Sequence, residues 1–196
     1  MRKFQTRWAN RNYPVWKQYL VPRYDRSQDW VYLEIGAFEG RSACWMLDNI
    51  FQSQGSVAYL IDTFGGPSRM SHVESIRKYG GKIEATCRQN MAPFGERVSI
   101  IKGDSDTVLR SPEILSLTGE VDLVYVDGAH HGDSAYRDAC LAWELVREGT
   151  GIMMWDDIHL PDVSDSLERF MESHGGRLDV IWREKYTCGF RRGTNA

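Results

Sequence analysis

Short runs of β-favouring apolar residues alternate along the chain with longer segments whose apolar positions recur at helical spacing. Seven runs are strand-sized: 31–36, 57–62, 97–102, 122–127, 151–156, 178–183 and 186–191. Helical segments separate the first six, and the last two read as a hairpin joined through Arg183 to Lys185. A helix over 39–51 should bury Cys44, Leu47 and Ile50 or Phe51, with Trp45 read as core in preference to a cofactor contact. Others are expected over 82–92, after Gly103, from Asp133 as its cap to a stop at Gly149-Thr150-Gly151, and from Pro161 to His174. Strand and helix in alternation predict an α/β fold.

Residues 1–30 precede the sheet as an N-terminal helical extension rich in aromatics: Phe4, Trp8, Tyr13, Trp16, Tyr19, Tyr24 and Trp30. Asn12 and Pro14 suit a helix start, and Pro22 stops it. Between them Val15, Trp16, Tyr19 and Leu20 share one face, which predicts a helix packed on the sheet edge. The alternative is that these aromatics help to wall a substrate pocket.

The organising stretch is VYLEIGAFEG, residues 31–40, a strand that runs through a glycine-bounded turn into a helix. That is the shape of a nucleotide-cofactor loop. A dinucleotide turn needs a third glycine and an electropositive helix start facing pyrophosphate. Here Phe38 fills the middle, and Glu34 and Glu39 bring negative charge to the same place. Such a loop would repel phosphate and attract a ligand carrying an ammonium and a sulfonium, as S-adenosylmethionine does. Asp62 ends the second strand about twenty residues beyond the turn, where α/β cofactor domains place a carboxylate on ribose hydroxyls. Asp104 or Ser105 would cap the helix after Gly103.

At 196 residues with a net charge of −3, the chain suits one domain and has no basic signature for extended nucleic-acid binding. Its start, MRKFQTRWANR, lacks the apolar run of a signal peptide, and the other apolar stretches are strand-sized. The four scattered cysteines read as reduced thiols, mostly buried. A cytoplasmic protein is expected. Residues 63–81, with five glycines and prolines around a polar segment, read as a mobile loop able to close over a site, with His72 solvated.

The densest chemistry lies in 121–160. One strand ends at Asp127, a loop carries His130 and His131, and the next strand delivers Asp156 and Asp157. Right-handed crossovers make the two strands neighbours, so the acids would emerge together at the carboxyl edge. Carboxylates gathered there repel one another unless a cation neutralises them, and oxygen ligands with open water positions suit Mg²⁺. The alternative is that Asp157 caps the next helix and one acid alone faces the pocket.

The pattern Glu34-x-Gly36-x-x-x-Gly40 resembles the first motif of class I S-adenosylmethionine-dependent methyltransferases. More narrowly, LEIGAFEGRSACWML, IDTF, VDGAHHGDSAYRDA and MMWDDI look like the macrocin-type and cephalosporin-type Mg²⁺-dependent O-methyltransferases. The resemblance implies a Rossmann-like, mostly parallel seven-stranded sheet over 31–196, with helices on both faces and an antiparallel last strand. It implies cofactor contacts from Glu34, Gly36, Ala37, Phe38, Gly40, Ser42, Asp62, Thr63, Gly103, Asp104, Ser105 and Asp127. It further implies a metal site of Asp127, Asp156 and Asp157, and His130 as base beside Asp127. Glu148-Gly149-Thr150-Gly151 replaces the group's usual Pro-Gly-Gly, and the chain has only some thirty residues before the sheet to cap a substrate. That leaves the acceptor open.

The expected reaction is O-methylation of a small hydroxylated molecule or sugar, with His131 and His159 as rivals to His130 for the base. Other possibilities are a metal-independent methyltransferase, a nicotinamide-dependent dehydrogenase and a non-catalytic cofactor-binding domain. A homodimer closing over the site is compatible with the short aromatic N-terminus.

Overall fold

The computed structural model describes residues 2–66, 74, 78–131 and 133–194. Its strands are β1 (Val31–Ile35), β2 (Val57–Asp62), β3 (Val98–Lys102), β4 (Leu123–Val126), β5 (Ile152–Trp155), β6 (Leu178–Arg183) and β7 (Cys188–Arg192). They form one sheet in the order β3-β2-β1-β4-β5-β7-β6. The first five run parallel, and β7 is antiparallel to both β5 and β6. β1 pairs with β2 on one side and β4 on the other, so the winding reverses between β1 and β4. In open α/β sheets that reversal opens a crevice at the carboxyl edge.

Strands buried on both faces read as near-continuous apolar runs, which is why these were visible in the sequence. Leu33, Ile35, Val124, Val126, Met153 and Trp155 face one core layer. Tyr32, Leu60, Leu123, Tyr125, Ile152 and Met154 face the other. Helices α1 (Tyr13–Tyr19), α2 (Arg41–Asn49) and α3 (Ile83–Met91) cover the second face. Helix α4 (Ser105–Leu109) and α5 (Pro112–Leu115) precede β4, and α6 (Ser134–Trp143) and α7 (Pro161–His174) complete the first layer. Each large side chain so buried contributes about 1.5–3 kcal/mol.

Four local expectations are corrected. Helix α1 lies over the central strand and not at the sheet edge: Trp16 meets the Tyr125 ring edge-on at 5.6 Å and Trp45 at 5.2 Å. Asn12 occupies the N-cap position of α1 without a side-chain capping bond: its backbone is already helical, its Nδ2 donates to Asp156, and its Oδ1 has no partner among the described residues. Asp133 likewise makes no cap bond and pairs with Arg169 on α7. Helix α6 ends at Trp143, well before Gly149, because the chain turns at Glu144 to set Val146 beside Val121. Asp104 does cap α4, accepting from the Thr107 amide at 3.4 Å.

All four cysteines are free, three of them buried. Among the described residues no helix is long and apolar enough to cross a membrane. Most of the loop expected to close over the site, with His72, lies outside the described residues.

Candidate active site

The glycine turn is shaped by contact with the neighbouring strand. Gly36 has φ +94°, and a Cβ there would stand 2.0 Å from the Asp127 carbonyl oxygen. Only glycine lets β1 and β4 close at this point. Among the described residues three non-glycine positions also adopt positive φ, and all lie at the same edge of the sheet: Phe38 (49°), Phe64 (55°) and Asp157 (56°). Backbone held in that region stores strain and marks functional sites more often than others. Asp62 holds two of the three in place, its Oδ2 accepting from the Phe38 amide at 2.7 Å and its Oδ1 from the Phe64 amide.

A cavity of about 430 Å³ opens over this edge. From the sequence-predicted set it is lined by Gly36, Phe38, Asp62, Thr63, Gly103, Asp104, Ser105, Asp127, His130, Asp156 and Asp157. Glu34, Ala37, Gly40 and Ser42 do not line it. Glu34 is fully buried and receives hydrogen bonds from the Ser42 hydroxyl and, at 2.9 Å, from the Tyr32 hydroxyl. Burial first, opposed by those two bonds, pushes its carboxyl up to about 8. Glu39 also turns inward, accepting from the Gln5 and Thr6 amides at 2.8 and 3.4 Å. The carboxylates that line the cavity are instead Asp62, Asp104, Asp127, Asp156 and Asp157. Gly40 packs against Met91 and Cys87, and Ala37 is buried.

Ser105 lines the cavity, but its hydroxyl donates to Asp138 Oδ1 at 2.7 Å. Asp138 on α6 is buried, and desolvation, partly offset by that bond, pushes its carboxyl up to about 6. Burial likewise raises Asp62 above the ordinary carboxylate range, against the two amides it accepts from.

Beyond the turn the acids divide. Oxygens of Asp127 and Asp157 and the His130 ring nitrogen all lie within 4.8 Å of one another. His130 Nε2 stands 3.2 Å from Asp157 Oδ2 and 3.7 Å from Asp127 Oδ1. Burial disfavours the imidazolium, yet hydrogen bonding and charge from Asp127, with Asp157 and Asp156 behind it, raise His130 above its ordinary value. Asp127 is raised too, by burial and then by the charge of Asp156. Asp156 borders the cavity with its oxygens already engaged. Its Oδ2 accepts from Tyr125 at 2.7 Å and Asn12 at 2.8 Å, and its Oδ1 from the Asp157 amide at 2.8 Å. The structure thus brings together Asp127, Asp157 and His130, with Asp156 bound back into the fold. His159 is 3.7 Å from Asp157 Oδ1 and packs edge-on against Tyr186; neither it nor His131 lines the cavity.

A family model described as a methyltransferase domain matches residues 33–158. The chain belongs to that family. Its fold is shared by three solved structures at low identity. The O-methyltransferase NovP is 16% identical over 85% of this chain and 72% of its own, with a TM-score of 0.63. TomG from Streptomyces achromogenes, an O-methyltransferase of tomaymycin synthesis solved with S-adenosylmethionine, is 21% identical over 92% and 80%, with a TM-score of 0.59. The methyltransferase PaMTH1 from Podospora anserina, solved with S-adenosylhomocysteine, is 18% identical over 83% and 71%, also at 0.59. No curated protein matches the chain.

Eight described residues that line the methyltransferase cavity are absent from the sequence-predicted set, and two of them, Trp8 and Arg11, bring an aromatic ring and a charge. Trp8, half-exposed, packs against Phe38 with ring centroids 5.2 Å apart and planes tilted by 31°, so at least one N-terminal aromatic lines the cavity. Arg11 lies between the cavity and the acids, its Nη2 paired with Asp157 and 3.2 Å from Asp156 Oδ1. The abundance of aromatics hinted at Trp8. Nothing local signals Arg11, whose partners lie 145 and 146 residues away.

Proposed function

We propose that this methyltransferase takes its methyl group from S-adenosylmethionine and delivers it to a hydroxyl oxygen of a small molecule, in the cavity between Asp62 and Asp157. The observation that carries this is the cavity's two-ended chemistry. One end offers a glycine turn and the Asp62 carboxylate at the end of β2. The other gathers Asp127, His130 and Asp157 at the ends of β4 and β5.

Asp62 suits the two vicinal ribose hydroxyls, since each of its oxygens keeps a lone pair beyond its amide bond. Gly36 and Phe38 carry the turn along the methionyl portion, and Gly103, Asp104 and Ser105 border the base. The sulfonium supplies an activated methyl for in-line displacement, so alignment of the acceptor provides much of the acceleration. His130 takes the acceptor's proton, its ring held in register by Asp127 and Asp157. Trp8 offers an aromatic wall for the acceptor.

The donor set fits a divalent cation. Asp127 and Asp157 would hold it, and two carboxylates with remaining water positions are the coordination Mg²⁺ favours. Such an ion supplies a lowered pKa at a bound hydroxyl. Asp156 Oδ2 is committed to Tyr125 and Asn12, so Asp156 would join only through Oδ1, which the Asp157 amide and Arg11 now share.

The test is incubation of the full chain with methyl-labelled S-adenosylmethionine and a panel of small polyols, sugars and phenols, with Mg²⁺ and with chelator. Label on an acceptor oxygen supports the proposal. Label on nitrogen or carbon alone would overturn the acceptor class, and turnover indifferent to chelation would remove the ion.

A further inference from the structure

Arg11 is the one arginine or lysine among the described residues lining the cavity. It stands on the 3-10 turn Trp8–Asn12, and its guanidinium lies 4.9 Å over the Tyr186 ring. Its Nη2 is shared between Oδ1 of Asp157 and Oδ1 of Asp156. Its Nε is buried with no hydrogen-bond partner among the described residues. The guanidinium is therefore held chiefly by the two acids, which need a cation beside them. Asp157 is divided by this arrangement, Oδ1 facing Arg11 and Oδ2 facing His130.

The segment that carries Arg11 is fastened to the cofactor side by other contacts. Asn90 accepts from the Lys3 amide and donates to the Lys3 carbonyl, both at 2.8 Å. Glu39 accepts from the Gln5 and Thr6 amides. Arg41 donates to the Asn10 carboxamide oxygen at 2.7 Å. Arg11 is thus a tethered charge delivered by the N-terminal segment to the acids of β5.

We propose that Arg11 is a built-in counter-cation that competes with a divalent ion for Asp157, so that metal binding and the seating of the N-terminal segment oppose each other. This rests on the divalent site proposed above. Asp157 is the carboxylate common to the guanidinium and the donor cluster, and like charges placed on its two oxygens repel. Without metal, Arg11 keeps the acids compensated and the segment docked. Metal entry loosens Arg11, and with it the wall that Trp8 lends to the acceptor side.

Mn²⁺ titration followed by the paramagnetic resonance of the free ion tests this on the full chain, as wild type, Arg11→Gln and Arg11→Lys. Arg11→Gln should bind Mn²⁺ at least about tenfold more tightly, because a competing charge is gone, and Arg11→Lys should stay near wild type. A purely structural arginine would do the reverse, since its loss would loosen Asp157 and weaken the ion. Equal or weaker binding by Arg11→Gln overturns the competition while leaving the ion site standing. No Mn²⁺ binding by any of the three proteins would show that the ion site itself fails, and the competition with it. Should Arg11→Gln not fold, amide hydrogen exchange of the wild type decides. Saturating Mn²⁺ should speed exchange across the turn Trp8–Asn12, and unchanged exchange there overturns the proposal.

Discussion

The Asn12 carboxamide donates to the Asp156 carboxylate across 2.8 Å, tying the start of α1 to the end of β5. Tyr125, one strand over, donates to the same oxygen at 2.7 Å. Together they fix Oδ2 of Asp156 into the fold where that residue borders the cavity, while Asp157, at positive φ, turns toward His130.

Removing Asn12 should therefore act on stability and on the site at once. Asn12→Ala leaves a buried carboxylate one donor short, a loss of about 1–3 kcal/mol. Urea denaturation should show it as a lower midpoint with an unchanged slope. An Asn12→Ala protein as stable as wild type would mean that water replaces the amide.

How much of this was legible differs from residue to residue. The apolar runs at 31–36, 57–62 and 122–127 gave the strands, because strands covered on both faces leave little room for polar positions. The convergence of Asp127 with Asp157 followed from crossover handedness. Glu34 was expected at the cofactor, yet strand alternation already put it on the Tyr32 face, where the two side chains meet at 2.9 Å. The role of Asp156 was not legible, since it depends on Asn12, 144 residues distant, and on Tyr125. Arg11 was hidden for the same reason.

Glu34 makes stability depend on pH in a direction opposite to a salt-bridged acid. Its carboxyl titrates at about 8 in the fold against an ordinary 4.5, so between these values the folded chain binds more protons than the unfolded one. Its contribution is complete below the ordinary value and is lost as pH rises to about 8, at up to ~1.4 kcal/mol per pH unit. Thermal melts of Glu34→Gln should be flatter than wild type across that window. Parallel curves would show that Glu34 is ionised in the fold.

Gly36 faces the tightest contact at the sheet's reversal. In Gly36→Ala the positive φ alone costs about 1–3 kcal/mol, and the clash with the Asp127 carbonyl adds to it. The variant should melt lower and bind S-adenosylhomocysteine weakly or not at all, by calorimetry. Retained affinity would mean that β1 and β4 can part here without disturbing the cavity.

His130 should separate chemistry from binding. His130→Ala is expected to lower kcat by about 10²–10⁴, the range of a general base, with the affinity for S-adenosylhomocysteine near wild type. Single-turnover methyl transfer checks the first and calorimetry the second. If kcat is kept, the proton leaves by another route and His159 becomes the next residue to substitute.

The central claim is that the cavity at the carboxyl edge binds the methyl donor through Asp62. Calorimetric titration with S-adenosylhomocysteine tests it most directly, on wild type and on Asp62→Ala shown to be folded by circular dichroism. The account predicts saturable one-site binding to wild type, weakened at least about tenfold, or ~1.4 kcal/mol, in the variant. No binding to wild type, or equal binding to both proteins, would contradict it.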